Sequence, residues 1–456
     1  MTWRWQTTVL LLVGGWACHL DAAQPPELPV SNPASNPAPN PTPNIVVIIA
    51  DDLGWADVGY HGSRIETPHL DRLAQQGVRL SQFYVYPTCS PTRAALLTGR
   101  NPNRHGILGP IGGNSRQHPP PDALTLPRAL SDHGYTTHLV GKWHLGLDRQ
   151  FGPLRYGFET SYGYLHGQID PYTHRYKFGD RTWHRNDEFL DEQGHATDLI
   201  TAEAVRVMES DRSRPFYLQV AYSVPHFPLN EPAEWQARYT DTFDDPWRAH
   251  YAASVSHMDA GIGQIVAALD DAGLAERTLL VFFSDNGGQQ RWTGTANQYD
   301  GRYQPHTTLG RNDPLRGWKG DLYEGGIRVP ALARWPGKLP SGTKAESPAS
   351  VLDWLPTFCA LAGEPIDSPN ELEGENIWPL LTGRQDADER TMYWRTGSES
   401  AVRRGPWKLI AKAQGGSAEL YHLADDPHEE SNLAETHPDQ VAALRQILQE
   451  QRSGDR

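Results

Sequence analysis

Ile45-Val46-Val47-Ile48-Ile49-Ala50-Asp51-Asp52 is the stretch that decides the fold, because an unbroken apolar run ends directly in two carboxylates. Residues 279–283 form a second apolar run, which continues through Ser284 into Asp285 and Asn286. Continuous β-branched and aromatic runs of this length predict strands that are buried on both faces of a sheet. A single carboxylate pair after a strand is typical of a turn or a helix cap. The argument for a functional site therefore rests on the recurrence of such polar clusters after several strands.

Two further runs repeat the pattern elsewhere in the chain. Residues 216–222 lead through residues 223–225 into His226, and the weaker run 136–140 precedes Gly141-Lys142-Trp143-His144. Ligands of open α/β sheets bind outside the carboxyl ends of the strands. We therefore predict that the four polar clusters meet in one crevice.

Helical patterns alternate with these strands. The first begins at Thr67-Pro68 and ends at Gly77, the second covers residues 126–132, and the longest covers residues 250–269. Their apolar residues recur near the helical period. Such alternation favours an α/β fold, in which a mostly parallel central sheet is flanked by helices.

The C-terminal part has a different pattern. Short strand candidates are separated by turn signals and followed by a helical pattern over residues 438–451. We predict a small antiparallel sheet with a helix, which begins at about residue 386. The strand candidates are residues 391–395, 401–402, 407–411 and 419–423.

The most specific motif is Cys89-Ser90-Pro91-Thr92-Arg93-Ala94-Ala95-Leu96-Leu97-Thr98-Gly99, which opens a short apolar helix. Pro91 suits a first helical turn, because its missing N–H would have no intrahelical partner there. Cys89 is therefore expected at a helix N-terminus, where the helix dipole favours negative charge. The alternative is a buried cysteine that merely caps the helix, with Arg93 on the surface.

This motif resembles the signature of the sulfatase family, in the Cys-x-Pro-x-Arg spacing and the Leu-Thr-Gly that follows, although Thr92 stands where many members carry serine. The resemblance covers about residues 44–435 and is nearest to the arylsulfatase B, or N-acetylgalactosamine-4-sulfatase, type. It implies the alkaline-phosphatase-like sulfatase fold and the hydrolysis of sulfate esters, with sulfated carbohydrates such as polysaccharide or glycosaminoglycan fragments as the expected substrates. Further sulfatase-like segments are residues 51–55, 141–146, 224–226, 284–288, 316–320 and 323–326.

The resemblance also implies a set of site residues. A formylglycine-generating maturation enzyme would oxidise Cys89 to formylglycine, whose hydrate attacks the sulfate ester. One calcium ion would be bound beside residue 89, and the residue types agree, because four oxygen ligands favour a hard cation over zinc. The implied metal ligands are Asp51, Asp52, Cys89 as formylglycine, Asp285 and Asn286, and the implied catalytic residues are Cys89, Arg93, Lys142, His144, His226 and Lys319.

The family assigns a role to each catalytic side chain. His226 would protonate the leaving alcohol, together with Lys319, and Lys142 and Lys319 would balance charge on the sulfate oxygens. Arg93 would brace the formylglycine and the metal, while His144 would take a proton as sulfate is expelled. Attack on an anion requires such preorganised positive charge.

Two alternatives stay open at this point. A phosphatase or phosphonate monoester hydrolase of the same superfamily would share the fold and the metal aspartates, but members with two zinc ions need additional His and Asp ligands. A catalytically inactive, sugar-binding relative would have lost a metal ligand or Cys89, whereas this chain retains all of them.

The composition is acidic. The 456 residues include 41 Lys and Arg against 55 Asp and Glu, which gives a formal net charge of −14. This charge argues against nucleic acid as a partner, and it means that an anionic substrate must meet a local basic site. The length suffices for a catalytic domain, expected over residues 44–385, and a smaller C-terminal subdomain over residues 386–456.

The N-terminal region predicts export. Residues 1–23 resemble a signal peptide, with Arg4 before a short apolar core that is too short to span a bilayer. Residues 24–43 are rich in Pro, Asn and Ser, which predicts an extended or disordered linker. We therefore expect a periplasmic or secreted protein without a transmembrane span. A lipoprotein anchor through Cys18 is a weaker alternative, because Gly15 stands where an aliphatic residue is usual.

Other features remain open. Once a signal peptide is removed, Cys89 and Cys359 form no disulfide framework, and Cys359 is expected in the core. Residues 162–185 and 289–313 are rich in aromatic, His, Arg and Gly residues without a clear period. They are either substrate-contacting loops or ordinary surface insertions.

Overall fold

The computed structural model describes residue 10 and residues 42–210, 213–307, 309–363, 372–384, 389–412 and 416–456. The predicted signal peptide, with Cys18, and the predicted linker lie outside the described residues, apart from residues 10, 42 and 43. Residues Thr42–Arg456 form one compact unit.

Strands and helices alternate along the first three quarters of the chain. The strands are β1 (Asn44–Ala50), β2 (Val78–Leu80), β3 (Phe83–Tyr84), β4 (Thr136–Lys142), β5 (Thr160–Tyr164), β6 (Trp183–Arg185), β7 (Glu188–Phe189), β8 (Phe216–Ala221), β9 (Thr278–Ser284), β10 (Arg291–Trp292), β11 (His306–Thr307), β12 (Ala331–Arg334), β13 (Thr343–Ala345), β14 (Ala349–Ser350), β15 (Thr391–Arg395), β16 (Glu399–Arg404), β17 (Trp407–Lys412) and β18 (Ala418–His422). The α-helices are α1 (Pro68–Gln76), α2 (Cys89–Thr98), α3 (Leu126–Asp132), α4 (Ala196–Glu209), α5 (Ala233–Ala237), α6 (Pro246–Asp271), α7 (Glu324–Ile327), α8 (Trp354–Ala362), α9 (Trp378–Leu381) and α10 (Pro438–Arg452).

The central sheet has ten strands in the order β13-β2-β12-β9-β1-β8-β4-β5-β6-β7. Its middle, from β9 to β5, is parallel, and β1 pairs with β8 on one side and β9 on the other. Antiparallel pairs form where β12 meets β9 and where β6 joins β5. The predicted α/β fold with a mostly parallel central sheet is therefore confirmed.

The two faces of the sheet explain why the β1 run is apolar without alternation. Ile45, Val47 and Ile49 pack on one face with residues of α2, α3 and α8. Val46 and Ile48 pack on the other face with residues of α1, α4 and α6. Each fully buried side chain of this size contributes about 1.5–3 kcal/mol relative to exposure. This burial fixes the strand ends that carry the polar clusters.

The predicted C-terminal antiparallel sheet is confirmed. Strands β15 to β18 pair in sequential order, and α10 packs Leu444 and Leu448 against them. The pattern at residues 401–402 underestimated β16, whose ends carry charged side chains. The boundary between the two predicted domains at residue 386 stays a prediction.

The stretch at residues 162–185 differs from the predicted loop. It begins in β5 and ends in β6, and Tyr162, Tyr164 and Trp183 are buried. These three residues extend the core, and Tyr162 and Trp183 make an edge-to-face contact at 5.1 Å, whereas Tyr172 and Phe178 of the same stretch are exposed. In the second stretch, β10 and β11 form a two-stranded sheet.

Among the described residues, no helix combines the length and apolarity that a bilayer-spanning segment requires. Cys359 is buried in the core, as predicted.

Candidate active site

The loops that follow β1, β8 and β9 are hydrogen-bonded to one another. The Asp51 amide donates to the Val224 carbonyl at 3.2 Å, and the Asp285 amide donates to the Ala50 carbonyl at 3.0 Å. The Leu53 amide donates to the Ser284 hydroxyl at 2.9 Å. The structure thus brings the predicted polar clusters to one edge of the sheet.

Helix α2 begins at Cys89 and places it beside these loops. Pro91 lies in the first turn, as predicted, and Gly99 ends the helix with φ +62°. Cys89 is 1% exposed and Arg93 is 2% exposed. The alternative that placed Arg93 on the surface is therefore wrong.

Arg93 joins three parts of the site. Its guanidinium donates to Asp285 Oδ2 at 3.1 and 2.7 Å and to the Lys142 carbonyl at 3.1 Å. A buried guanidinium needs partners of this kind, and the fork geometry suits a carboxylate. Arg93 therefore holds the ends of β4 and β9 against α2.

His144 faces Cys89 in a defined tautomer. Its Nε2 lies 3.0 Å from the Ile111 carbonyl, and its Nδ1 lies 3.2 Å from Cys89 Sγ. A carbonyl only accepts, so Nε2 carries the proton and Nδ1 presents a lone pair to residue 89. Burial and the nearby Lys142 hold the pKa of His144 well below its usual value, and burial raises the pKa of the Cys89 thiol.

Three acidic side chains meet three basic ones in this buried centre. Lys142 Nζ lies 2.5 Å from Asp51 Oδ2, and Lys319 Nζ lies 2.7 Å from Asp52 Oδ1. Asp285 pairs with Arg93, as described above. The formal charges of these six side chains sum to zero.

Among the carboxylate and amide oxygens of the centre, two have no hydrogen-bond partner within the described residues, Asp51 Oδ1 and Asn286 Oδ1, and the buried Tyr164 hydroxyl, which acts electrostatically on Asp51, also lacks a partner. The Asn286 amide orientation follows from its contacts, because Nδ2 donates to Asp52 Oδ1 at 2.8 Å and to the Gly287 carbonyl at 3.0 Å. When Asp51 is ionised, Asp51 Oδ1 and Asn286 Oδ1 are both acceptors and cannot satisfy each other. Carboxylate and amide oxygens with unused lone pairs fit a hard cation such as calcium.

The pKa values of the neighbouring aspartates diverge. Burial raises the pKa of Asp51 to about 8, against the opposing charge of Lys142. Burial acts in the same direction on Asp52, but Lys319 and His226 overcome it and hold its pKa at about 2. The Asp51 carboxylate is thus the less compensated of the two charges.

His226 and Lys319 lie at the accessible side of the centre. Their side chains are 11% and 13% exposed, whereas those of Lys142 and Asp51 are fully buried. His226 Nδ1 is hydrogen-bonded to the Phe227 carbonyl, which leaves Nε2 3.7 Å from Asp52 Oδ2. These two side chains are positioned to meet a ligand.

Sequence reasoning missed three supporting groups. The Ser90 hydroxyl donates to the His144 carbonyl at 2.9 Å and accepts from the Ile111 amide at 3.0 Å. Ser284 joins the β1 and β9 loops. Ser90 and Ser284 lie inside the quoted motifs and could have been singled out, but the Ile111 carbonyl leaves no signal in the sequence.

Comparison with known proteins identifies one enzyme family along most of the chain. Residues 43–364 match the family model described as Sulfatase, and residues 317–454 match the model described as N-sulphoglucosamine sulphohydrolase, C-terminal. Mouse arylsulfatase J is 32% identical over 467 residues, which cover 89% of this chain and 75% of that protein. Mouse N-acetylgalactosamine-6-sulfatase is 32% identical over 388 residues, which cover 80% of this chain and 71% of that protein.

A solved structure, Ps i-CgsB in complex with k-i-k-neocarrahexaose, superposes with a TM-score of 0.81. It is 31% identical, with 91% of this chain and 94% of that chain covered. Two different types of sulfatase match at the same 32% identity, so the predicted arylsulfatase B type is not singled out. The chain belongs to the sulfatase family, the enzymes that hydrolyse sulfate esters.

Proposed function

We propose that this enzyme is a calcium-dependent sulfatase of sulfated carbohydrates, in which Cys89 is converted to formylglycine. The observation that carries the proposal is the position of Cys89. It lies at a helix N-terminus, 3.2 Å from an unprotonated ring nitrogen of His144. Lys142, Lys319, Asp285 and Asp51 all act electrostatically on its sulfur.

The unpartnered oxygen atoms of the centre support a divalent cation. Asp51, Asp52 and Asp285 would hold it together with Asn286, and the two unpartnered acceptor oxygens are the atoms that most need it. The side-chain charges of the centre already cancel, so a bound Ca²⁺ would leave it with two positive charges. An anionic sulfate ester would then enter a buried site of opposite charge.

When present, calcium would stabilise charge on a sulfate oxygen, and the formylglycine hydrate would supply the attacking hydroxyl group. His144 Nδ1 is the acceptor for a proton from the group at position 89, since its Nε2–H is held by the Ile111 carbonyl. Arg93 fixes that group relative to Asp285.

On the substrate side, Lys319 Nζ and Lys142 Nζ would orient the sulfate oxygens as charged donors. His226 Nε2 is the ring nitrogen left free to exchange a proton with the leaving oxygen, because Nδ1 is bound to the Phe227 carbonyl. Burial of the remaining groups would exclude competing water from the reacting centre.

The substrate class rests on the relatives. One is named for N-acetylgalactosamine 6-sulfate, and Ps i-CgsB was solved with a neocarrahexaose. Transfer of reaction type between relatives is safer than transfer of specificity. We therefore propose sulfated oligosaccharides or polysaccharides as the class and leave the sugar and the sulfate position open.

One purified sample tests the proposal. Expression in a host with a formylglycine-generating enzyme should give a Cys89 peptide whose mass shows the aldehyde, about one calcium per chain, and release of sulfate from a sulfated oligosaccharide. Full activity with an unmodified thiol would refute the formylglycine step. Faster turnover of aryl phosphate than aryl sulfate would favour the phosphatase alternative, and binding of sugars without turnover, with formylglycine present, would favour the inactive relative.

The predicted export is part of this proposal, since sulfated polysaccharides are met outside the cytoplasm. Cell fractionation should recover the protein from the periplasm or medium, with its N-terminus near residue 24. Retention of residues 1–23 in a cytoplasmic protein would contradict it.

A further inference from the structure

A cleft of about 760 Å³ lies beside the catalytic centre. Its walls are residues 113–118 and residues 147–151, together with His166 and Phe189. None of the proposed catalytic residues lines it.

Two contacts connect the cleft to His144. The carbonyl that accepts from His144 Nε2 belongs to Ile111, two residues before the first wall. Gly167, next to His166, packs so closely on the His144 ring that a Cβ atom there would lie 2.5 Å from Cε1. Residues next in sequence to the cleft walls therefore contact the His144 ring, which places the cleft beside the catalytic centre.

His166 presents a fixed hydrogen-bond donor to this cleft. The Thr182 hydroxyl accepts from the Leu165 and His166 amides at 3.0 and 3.1 Å, which uses both of its lone pairs. Its own proton must therefore go to His166 Nδ1, which lies 2.8 Å away. Since Nδ1 accepts, Nε2 carries the N–H group.

The ring of His166 is held in place. It is 7% exposed and stacks on Tyr176, with centroids 4.3 Å apart and planes 25° apart. Burial lowers the pKa of His166 to about 4, so the neutral tautomer persists at neutral pH. A donor on a buried residue that lines a cleft, with its other nitrogen already satisfied, is suited to recognise a ligand bound there.

The walls of the cleft carry two arginines and one aspartate, although the chain as a whole is acidic, and the charged group that acts on His166 itself is Asp180. Arg116 makes no hydrogen bond or ion pair to any residue within the described ranges, and its side chain is exposed at the cleft wall. Arg149 lies over the Phe189 ring at 5.2 Å, and its Nη1 contacts the Asp187 carbonyl and lies 3.8 Å from the exposed Glu188 carboxylate, which leaves the other guanidinium donors free. The one carboxylate in the walls, Asp148, accepts from the backbone and side-chain nitrogens of Gln150.

Aromatic surface completes the cleft. Phe151 and His118 stack with centroids 3.6 Å apart, and both belong to the walls. Flat apolar faces beside hydrogen-bond donors suit the alternating C–H and O–H surface of a sugar ring. An aryl or steroid sulfate would have no use for two arginines and a fixed N–H donor at this distance from the centre.

We propose that this cleft binds the sugar unit adjacent to the one that loses its sulfate, and that it selects a unit carrying its own sulfate or carboxylate. His166 Nε2–H and the Arg116 and Arg149 guanidinium groups donate to the anionic and hydroxyl oxygens of that neighbouring unit. This inference rests on the proposed function, because it needs a carbohydrate chain in the centre.

The decisive experiment compares two oligosaccharides that share the scissile sulfate and differ only in whether the neighbouring unit is sulfated. The wild type should prefer the sulfated neighbour by about tenfold or more in kcat/KM, since a hydrogen bond to a charged group is worth about that much. Arg116→Ala/Arg149→Ala should lose this preference, mainly through KM. A wild type without preference, or a double variant that keeps it, would overturn the proposal.

Controls separate recognition from damage to the fold. His166→Gln keeps a donor near the Nε2 position and should retain more of the oligosaccharide rate than His166→Ala, whereas equal losses would argue for a merely structural histidine. Arg72→Ala removes an exposed arginine on α1, away from the cleft, and should leave the preference intact. The rate of 4-nitrophenyl sulfate hydrolysis by each variant shows whether its catalytic centre is still functional.

The two proposals fail in different ways. Turnover of 4-nitrophenyl sulfate without turnover of any sulfated oligosaccharide would refute the carbohydrate substrate class. Binding of a sulfated tetrasaccharide to Cys89→Ser, measured by calorimetry, then decides the cleft separately. Affinity that falls about tenfold or more when Arg116 and Arg149 are removed supports it, and unchanged or absent binding overturns it.

Discussion

In the part of the chain that the structure describes, two clusters of histidine and carboxylate side chains are tight enough to hold a metal ion, and they differ in the kind of atom left without a partner. The catalytic cluster contains Asp51, Asp52 and His226. The second cluster contains His195, Asp198 and His257, at the N-terminal end of α4 and on α6. Residue types alone would treat the two clusters alike.

In the second cluster, the carboxylates accept hydrogen bonds from a protonated histidine. His257 Nδ1 lies 2.6 Å from Glu231 Oε2, and Nε2 lies 2.9 Å from Asp198 Oδ1, so both nitrogens donate and the ring is an imidazolium. His195 Nδ1 accepts from the Thr197 amide, which leaves its Nε2–H 3.6 Å from Glu231 Oε2. Among the side-chain atoms of this cluster and of Glu231, those without a partner are His195 Nε2, a donor, and Glu231 Oε1, an acceptor, and a donor and an acceptor can pair with each other.

In the catalytic cluster and the adjacent Asn286, the carboxylate and amide oxygens without a partner, Asp51 Oδ1 and Asn286 Oδ1, are both acceptors when Asp51 is ionised. In that state they cannot form a hydrogen bond with each other. The difference is the reason why we expect a metal ion at the first cluster and none at the second, although both offer His and Asp side chains of the right kind.

The largest effect expected from this comparison is the loss of calcium from one cluster only. Asp51→Ala should lower bound calcium to a small fraction of one per chain and activity by roughly 1,000-fold or more, because the ion loses a ligand and Lys142 loses its partner. Elemental analysis measures the bound calcium, and the rate of sulfate release measures the activity. Asp198→Ala is the control and should retain its calcium. Equal loss of calcium in both variants would contradict the assignment of the metal ion to the catalytic cluster.

The catalytic cluster also contains lysines, which the second cluster lacks. Lys319→Ala should lower kcat by roughly 100- to 1,000-fold, because a preorganised charged donor to the sulfate is removed. Lys412→Ala, on an exposed position of β17, is the matched control. Circular dichroism checks that both variants fold, and a folded Lys319→Ala enzyme with normal kcat would contradict the assignment.

The second cluster should govern stability against pH. Burial lowers the pKa of His257, but its hydrogen bonds with Asp198 and Glu231 outweigh burial and raise it from 6.5 to about 9. The stabilisation is therefore fully present below pH 6.5 and is lost as pH rises through about 9. Its size is roughly 3 kcal/mol.

Urea unfolding of the wild type at pH 6 and at pH 9.5 measures this slope. His257→Gln should unfold more easily at pH 6 and show a much flatter dependence between the two pH values, with calcium content unchanged. A wild type of equal stability at both pH values would show that His257 is not held as an imidazolium.

The smallest expected effect concerns His226, the histidine of the catalytic cluster. His226→Ala should slow the release of sugar alcohols about tenfold more than that of 4-nitrophenol, since a good leaving group needs little protonation. The ratio of kcat values on the two substrates measures it. Equal losses on both would remove His226 from the acid role.

The sequence predicted the central strands well, because burial on both faces imposes an apolar run that few other structures need. β1 and β9 extend only a residue or two beyond the predicted runs, and α3 has the predicted bounds of residues 126–132. The longest helix, α6, begins four residues earlier than predicted, at Pro246, where Asp245 caps it. Capping by Asp before Pro is a signal that the apolar period alone does not contain.

The sequence predicted the residues of the site that belong to recognisable motifs, but not the contacts that orient them. The positions of Cys89, Asp51 and Asp285 follow from strand ends and a helix start. The tautomers of His144 and His166 depend on a backbone carbonyl and on a threonine 16 residues away, which sequence patterns do not connect. The buried aromatic residues of β5 and β6 were mistaken for loop residues, since Gly163 and the short strands conceal their period.

The burial of Cys89 has a consequence for the order of events in biosynthesis. Its thiol is buried beside residues as distant in the chain as Asp285 and Lys319, so the proposed maturation enzyme would reach it only before those segments have folded around α2. The proposed oxidation would therefore compete in time with folding. A substitution far from the centre that merely accelerates folding would lower the fraction of active molecules, while every folded molecule kept an intact set of side chains.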